Sequence, residues 1–347
     1  MHLFPLESNY NMKHQFTFTD LFSGIGGFHL ALSSLGGRCL YACEKEDHAR
    51  KIYSDNFHLT PWPNIKTFLK DKPKYSINAN HDVMCAGIPC QSYSIAGKKE
   101  GLNSENGKLF WDFLKIVKYE RPKFIILENV PNMINTNKGK DFKRINDALH
   151  QTGYITKSFI LESSFFGACQ RRKRLYILCF RKGVVIKQQV EYLEIKYPKR
   201  KPRYLKDIMR HNLTPKEKAY TALKKTSLKK KFVPTTNIKH MKIMKKKGGP
   251  VCVGFINGKK YQYNVVFSDQ YLSPTLVFRN PSWIKCYSSK SKEIRTLTIN
   301  EMRKAMGFPA TFKMNETPGW SVKLYGNAVI PKVIKEIVKQ AFIPFLR

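Results

Sequence analysis

Cys90 lies in the stretch Gly87-Ile88-Pro89-Cys90-Gln91-Ser92-Tyr93-Ser94, directly behind the short apolar run His81-Asp82-Val83-Met84-Cys85-Ala86. That run reads as a buried parallel strand, and Gly87 and Pro89 punctuate its end. A thiol there sits on the loop at the carboxyl edge of an α/β sheet, where such folds place their chemistry. Pro89 fixes φ and removes a donor, so the turn is stiff and the thiol points one way. A partly ionised thiol can attack a carbon centre and later depart from it. Taken alone, the same residue is equally a small buried hydrophobe. A second strand, Phe124-Ile125-Ile126-Leu127, runs straight into Glu128, again at a carboxyl end. Four adjacent cations, Arg171-Arg172-Lys173-Arg174, precede the apolar strand from Leu175 to Phe180. Side chains alternate along a strand, so Arg172 and Arg174 can face one site together.

These groups need a frame, and the first part of the chain supplies one. Residues 16–22 are rich in β formers and are followed by Ser23-Gly24-Ile25-Gly26-Gly27. A helix is expected to about Leu35, closed by Gly36-Gly37, and a second strand from Arg38 to Cys43. Glu44 stands 20 positions after Gly24. The glycines admit a ligand close to the backbone, and a carboxylate at the end of the second strand can take hydrogen bonds from ribose hydroxyls. The loop is not G-x-G-x-x-G, so an adenosine ligand without a pyrophosphate fits better, S-adenosylmethionine above all. Asn64-Ile65 follows Trp62-Pro63, at the expected end of a third strand where adenine could be gripped. Residues 92–107 read as a long mobile lid. Helices are expected around 109–117 and 141–150, and strands at 154–161 and 175–180. Thr298-x-x-Glu301 is a capping box, and Tyr325-Gly326-Asn327-Ala328-Val329 leads into an apolar-periodic helix from Lys332 to about Phe342. That helix can return to the first domain.

Charge points to a polyanion. The 347 residues hold 62 Lys plus Arg against 25 Asp plus Glu, a formal charge of +37. Nucleic acid is the default partner of such a chain. Residues 181–250 alone carry 22 cations and four acids, a net of +18. Lys224-Lys225, Lys229-Lys230-Lys231 and Lys245-Lys246-Lys247 suit phosphate contacts. The expected division is 12–181 plus 295–347 as one domain, 182–294 as an inserted second domain, and 1–11 as an N-terminal extension, with Met1 or Met12 as the start. Eight cysteines show no C-x-x-C pair and no zinc-like spacing, so no metal is expected. There is no basic-then-apolar leader and no run of membrane-spanning length. These features fit a reduced, cytoplasmic monomer.

The motifs resemble those of DNA (cytosine-5-)methyltransferases. The resemblance is carried, in family order, by Asp20-Leu21-Phe22-Ser23-Gly24-Ile25-Gly26-Gly27-Phe28, Glu44, Gly87-x-Pro89-Cys90-Gln91-x-x-Ser94, Glu128-Asn129-Val130, Gln170-Arg171-Arg172-x-Arg174 and Gly326-Asn327-Ala328-Val329. Gly307-Phe308-Pro309 belongs to it as well. It implies a Rossmann-like S-adenosylmethionine-dependent methyltransferase sheet with helices on both faces, plus a smaller target-recognition domain. It implies Cys90 as the nucleophile that adds to cytosine C6, Glu128 as the group that contacts N3 and the amino group, and Arg172 and Arg174 as the pair that orients the base and supports the carboxylate. It assigns Phe22, Gly24, Gly27, Glu44, Asn64, Ile65, Pro89, Leu109, Asn327 and Val329 to the cofactor pocket. The implied partner is double-stranded DNA, with a target base flipped out of the helix and a cognate restriction endonuclease as functional counterpart. Two positions depart from the pattern: Asn64 replaces a usual Asp, and Ala328 a common Ser. Rival readings are the tRNA-modifying branch, a non-catalytic DNA-binding module and an NAD-linked oxidoreductase. The tRNA branch carries Cys-Phe-Thr in its variable region, and residues 182–294 contain none.

Overall fold

The computed structural model describes residues 15–71, 80–89, 101–222, 232–234, 249–256, 265–276 and 284–346. Six strands, β1 (Phe16–Leu21), β2 (Gly37–Cys43), β3 (Val83–Ala86), β4 (Phe124–Asn129), β5 (Tyr154–Glu162) and β6 (Lys173–Arg181), form one sheet in the order β2-β1-β3-β4-β6-β5. Neighbours among β1 to β4 run parallel, whereas β6 is antiparallel to both β4 and β5. The strand order reverses between β1 and β3. The Gly-rich turn after β1 and the Gly87–Pro89 segment after β3 therefore open side by side at the switch point, where α/β sheets leave a crevice.

Alternation along the strands divides the core. Phe124, Ile126, Tyr176 and Leu178 face one side, with Phe28, Ala31 and Leu32 of α1 (Gly27–Ser33). Ile125, Leu127, Ile177 and Cys179 face the other, against the helices from Glu105 to Glu120 and from Lys140 to Gln151. In chain order the next helices are α2 (Asp47–Phe57), α3 (Ile65–Asp71), α4 (Glu105–Glu120), α5 (Lys140–Gln151), α6 (Lys187–Glu191) and α7 (Pro215–Thr221). The chain ends with α8 (Ile299–Ala305), α9 (Pro318–Asn327) and α10 (Pro331–Ala341). Val333, Ile334, Ile337 and Val338 of α10 are all buried on the first face. Each contributes roughly 1.5–3 kcal/mol, enough to bring the end of the chain back onto its beginning.

Two local expectations differ. The third strand before Asn64 shrinks to a single bridge between Cys43 and Trp62. Pro63 has no N–H to extend a ladder, and the Asn64 side-chain oxygen instead accepts from Lys66 N at 3.0 Å at the start of α3. The segment read as a lid is structured at its end: Gly101–Asn103 forms a 3-10 turn, Leu102 is buried, and Ser104 caps α4 by accepting from Gly107 N. Asp141 Oδ2 holds Leu102 N at 3.1 Å. Residues 92–100 lie outside the described residues.

A second sheet contains β7 (Phe232–Pro234), β8 (Cys252–Ile256), β9 (Val265–Ser268), β10 (Lys285–Tyr287) and β11 (Ile294–Thr296), in the order β11-β10-β9-β8-β7. The residues before it, including Val185, Val190, Leu205 and Ile208, pack into the core of the first sheet. The lysine tracts at 224–225, 229–231 and 245–247 lie outside the described residues. The junction after β11 is locked by charge. Arg295 donates twice to Glu301, each bond 2.8 Å, and Glu301 also accepts from Thr298 N and Arg210 N. The Arg295 side chain is 8% exposed and that of Glu301 0%. Breaking such a pair leaves a buried charge uncompensated, at a cost of about 3–5 kcal/mol. Glu301→Gln should lower the urea midpoint accordingly; an unchanged midpoint would mean the pair contributes nothing to the junction.

Candidate active site

The turn after β1 is shaped by its glycines. Phe22 has φ 54°, Gly24 54° and Gly26 84°, all in the region where side chains are strained. A Cβ at Gly24 would meet nothing within 4 Å, so the space above it is open. Gly24 N donates to Glu44 Oε2 at 2.8 Å, and Glu46 N to Glu44 Oε1 at 2.8 Å. Two backbone amides thus fix the carboxylate at the end of β2, and each oxygen retains accepting capacity. Burial, the largest influence, pushes the Glu44 carboxyl up, while the amide bonds pull it down. Ser23 Oγ is buried without a hydrogen-bond partner among the described residues.

Val329 comes from the far end of the chain to form a wall of this turn. A Cβ at Gly27 would lie 2.6 Å from Val329 Cγ2 and 2.8 Å from its carbonyl oxygen. Gly27→Ala must therefore displace backbone, an overpacking cost of about 1–3 kcal/mol. We expect the variant to bind cofactor more weakly in a direct titration; wild-type affinity would show that Val329 is no part of the pocket wall. Asn327, at the end of α9, is exposed between buried Gly326 and Ala328. Ile65 is buried, Asn64 exposed, and Leu109 half-buried on α4. An open turn, an oriented carboxylate, an orphan hydroxyl and an exposed amide suit the adenosine and amino-acid ends of S-adenosylmethionine.

The neighbouring loop is held from β1 and β4. Gly87 N donates to Leu21 O at 3.3 Å, and Asn129 Nδ2 to Ile88 O at 3.2 Å. Pro89 is half-buried; Cys90 lies outside the described residues. Glu128 Oε2 stands 4.0 Å from the position a Cβ would take on Gly87, so the carboxylate borders this loop. Glu128 is 8% exposed. Arg174 Nε lies 2.9 Å from Glu128 Oε1, but off the N–H line, so the pair is joined by charge without a well-aligned hydrogen bond. Tyr176, opposite Glu128 in the sheet, is pushed above the usual phenol range by burial first and by the Glu128 charge second.

Arg172 takes a different course from its neighbour. It is 4% exposed and donates to Gly326 O at 2.9 Å, to Ala328 O at 3.0 Å and to Leu276 O at 3.5 Å. Arg172 stands just before β6 and Arg174 within it, and their partners are a backbone turn and a carboxylate respectively. Asn129 was legible only as part of a motif; its hold on Ile88 follows from its place one residue beyond Glu128, beside the end of β3.

The remaining cysteines are poor nucleophiles. Burial raises all seven described thiols, Cys43 and Cys169 to about 12. The thiolate is the reactive form of cysteine, so burial works against reactivity at all seven.

The family profile described as C-5 cytosine-specific DNA methylase matches residues 16–342. The chain belongs to this family. It is thereby a DNA (cytosine-5-)methyltransferase by class, and members of the family use S-adenosylmethionine as methyl donor. Among curated relatives, it is 30% identical to the type II methyltransferase M.HpaII of Haemophilus parainfluenzae, over 97% of this chain and 92% of that protein. It is 29% identical to M.HhaI of Haemophilus parahaemolyticus, over 92% of each. The Dnmt2 methyltransferase of S. pombe superposes with a TM-score of 0.67 at 18% identity, covering 95% of this chain and 99% of that one. A putative DNA modification methyltransferase from an E. coli prophage gives 0.64 at 20% identity, covering 94% and 98%. At those identities the likeness is one of fold, and it agrees with the expected methyltransferase sheet. Among the described residues no helix is long and apolar enough to cross a membrane.

Proposed function

We propose that this protein methylates C5 of one cytosine within a specific duplex DNA sequence, through a transient bond from Cys90 Sγ to C6 of a flipped-out base. The observation that carries the reading is the Glu128–Arg174 pair, 2.9 Å apart, beside the Gly87–Pro89 loop and one strand from the Gly24–Glu44 turn. A base entering there would meet an acid on its Watson–Crick edge and a cofactor site on its far side.

C5 of cytosine is a weak nucleophile. Addition of the Cys90 thiolate to C6 makes C5 enamine-like, and negative charge moves toward N3. Glu128 holds a proton at N3, and Arg174 keeps that carboxyl in place and stabilises charge building on the ring. Bound S-adenosylmethionine, held by Glu44, Asn327 and the turn from Phe22 to Gly27, supplies the electrophilic methyl group. Loss of the C5 proton then breaks the C6–S bond and returns the thiolate. Flipping the base costs roughly a few kcal/mol, offset by phosphate contacts from the lysine-rich segment. Residues 182–294 read the target bases, residues 12–181 with 295–347 do the chemistry, and one chain carries every assigned group, so the enzyme acts as a monomer. Its biological setting is a restriction-modification pair with a cognate endonuclease.

The test is to incubate the protein with methyl-tritiated cofactor and duplex DNA, tRNA or neither. Label should appear on cytosine of duplex DNA. Label on tRNA alone would overturn the substrate, and no label on either would favour a binding module. DNA affinity should also fall steeply with salt, because each neutralised phosphate releases a counterion. A flat response would show that the lysine tracts do not touch the backbone.

A further inference from the structure

We propose that Arg172 is a positioning residue of the cofactor pocket, acting through the backbone of residues 326–328. This rests on the proposed methyltransferase site but departs from the role the motif suggests, that of a partner to the target base. Helix α9 ends at Asn327. The last carbonyls of a helix have no amide partner within it, and they carry its partial negative charge. Gly326 O and Ala328 O flank Asn327 on either side, and both accept from Arg172, from Nη1 at 2.9 Å and from Nη2 at 3.0 Å. The planar guanidinium spans two acceptors at once, which an ammonium cannot do with the same geometry.

Three consequences meet here. Asn327 is left exposed between two clamped carbonyls, with its side chain free to meet a ligand. Val329, next along, is pressed against Gly27 at the head of α1. Arg174, two residues from Arg172, reaches Glu128. The entry to β6 therefore ties the base side of the crevice to its cofactor side. Arg172 also donates to Leu276 O, so the segment preceding β10 joins the same junction.

Arg172→Lys and Arg174→Lys separate the two roles. The readouts are affinity for S-adenosylhomocysteine by calorimetry without DNA, and cofactor-free release of tritium from C5 of cytosine in duplex DNA. Arg172→Lys should weaken S-adenosylhomocysteine by about tenfold or more, the worth of a hydrogen bond to a charged group, and should still release tritium. Arg174→Lys should bind S-adenosylhomocysteine normally and lose the release. Normal affinity in Arg172→Lys, or loss of tritium release with affinity intact, would overturn the proposal. If Arg172→Lys is folded only at saturating S-adenosylhomocysteine, the guanidinium is holding the fold as a whole and the specific role is wrong, since any ligand of the folded state stabilises it. If it stays unfolded at saturating ligand, the guanidinium serves the whole core and the specific role is wrong. Should the wild type itself release no tritium, the methyltransferase chemistry fails, while the affinity comparison still decides Arg172.

Discussion

Cys90→Ser should lose methyl transfer to duplex DNA by at least about a thousandfold, as for removal of a covalent nucleophile, while cofactor affinity stays at the wild-type value. The reason lies in the chemistry of the attacking atom. A serine hydroxyl is almost fully protonated at neutral pH, whereas a free thiol is already partly ionised. Another thiol cannot substitute, because burial raises all seven described ones. The cofactor turn is built from β1, β2 and the tail of α9, so binding there does not depend on sulfur. Single-turnover transfer with tritiated cofactor, alongside calorimetry, reads both halves of the expectation. Retained turnover would refute Cys90 as nucleophile; lost cofactor binding would mean the substitution damaged the fold.

Glu128→Gln carries the second large effect, a fall in kcat of about a hundred- to ten-thousandfold, the range for a positioned proton donor. The amide keeps the size of the side chain but cannot give a proton to N3. It also leaves Arg174, whose side chain is 15% exposed, without its opposite charge. Two effects could then mix, loss of chemistry and disturbance of the arginine. Glu128→Asp distinguishes them: it keeps the negative charge near Arg174 but withdraws the carboxyl by one methylene. Both variants should lose kcat with cofactor affinity intact if reach and proton transfer decide. Near-wild-type kcat in Glu128→Asp together with loss in Glu128→Gln would assign the effect to charge pairing instead. Near-wild-type rates in both would remove Glu128 from the mechanism.

Much of this site was legible because strand ends fix where chemistry can stand. Gly24, Glu44 and Pro89 follow strands and Glu128 is the penultimate residue of β4, and β1, β3 and β4 lie next to each other with their carboxyl ends aligned. The capping box at Thr298 and Glu301 was equally visible, since three-residue spacing specifies it. What escaped depends on long-range partners or on competing local bonds. The strand before Asn64 failed because Pro63 cannot donate. Helix α9 went unread because its apolar residues are not confined to one stripe, although Thr317-Pro318 is a legitimate start, with Thr317 accepting from Trp320 N. Arg172 could be assigned a face from alternation but not a partner. Its acceptors lie 154 and 156 residues away, and nothing local announces them. The hold of Asn129 on Ile88 is of the same kind, since it joins residues 41 apart.

The most direct measurement uses a duplex oligonucleotide with 5-fluorocytosine at the target position, incubated with the protein and S-adenosylmethionine. Fluorine at C5 cannot leave as a proton does, so the C6–S bond should persist as a denaturant-resistant adduct that mass spectrometry maps to Cys90. An enzyme that methylates normal DNA yet forms no such adduct, or forms it through another side chain, would contradict the covalent mechanism.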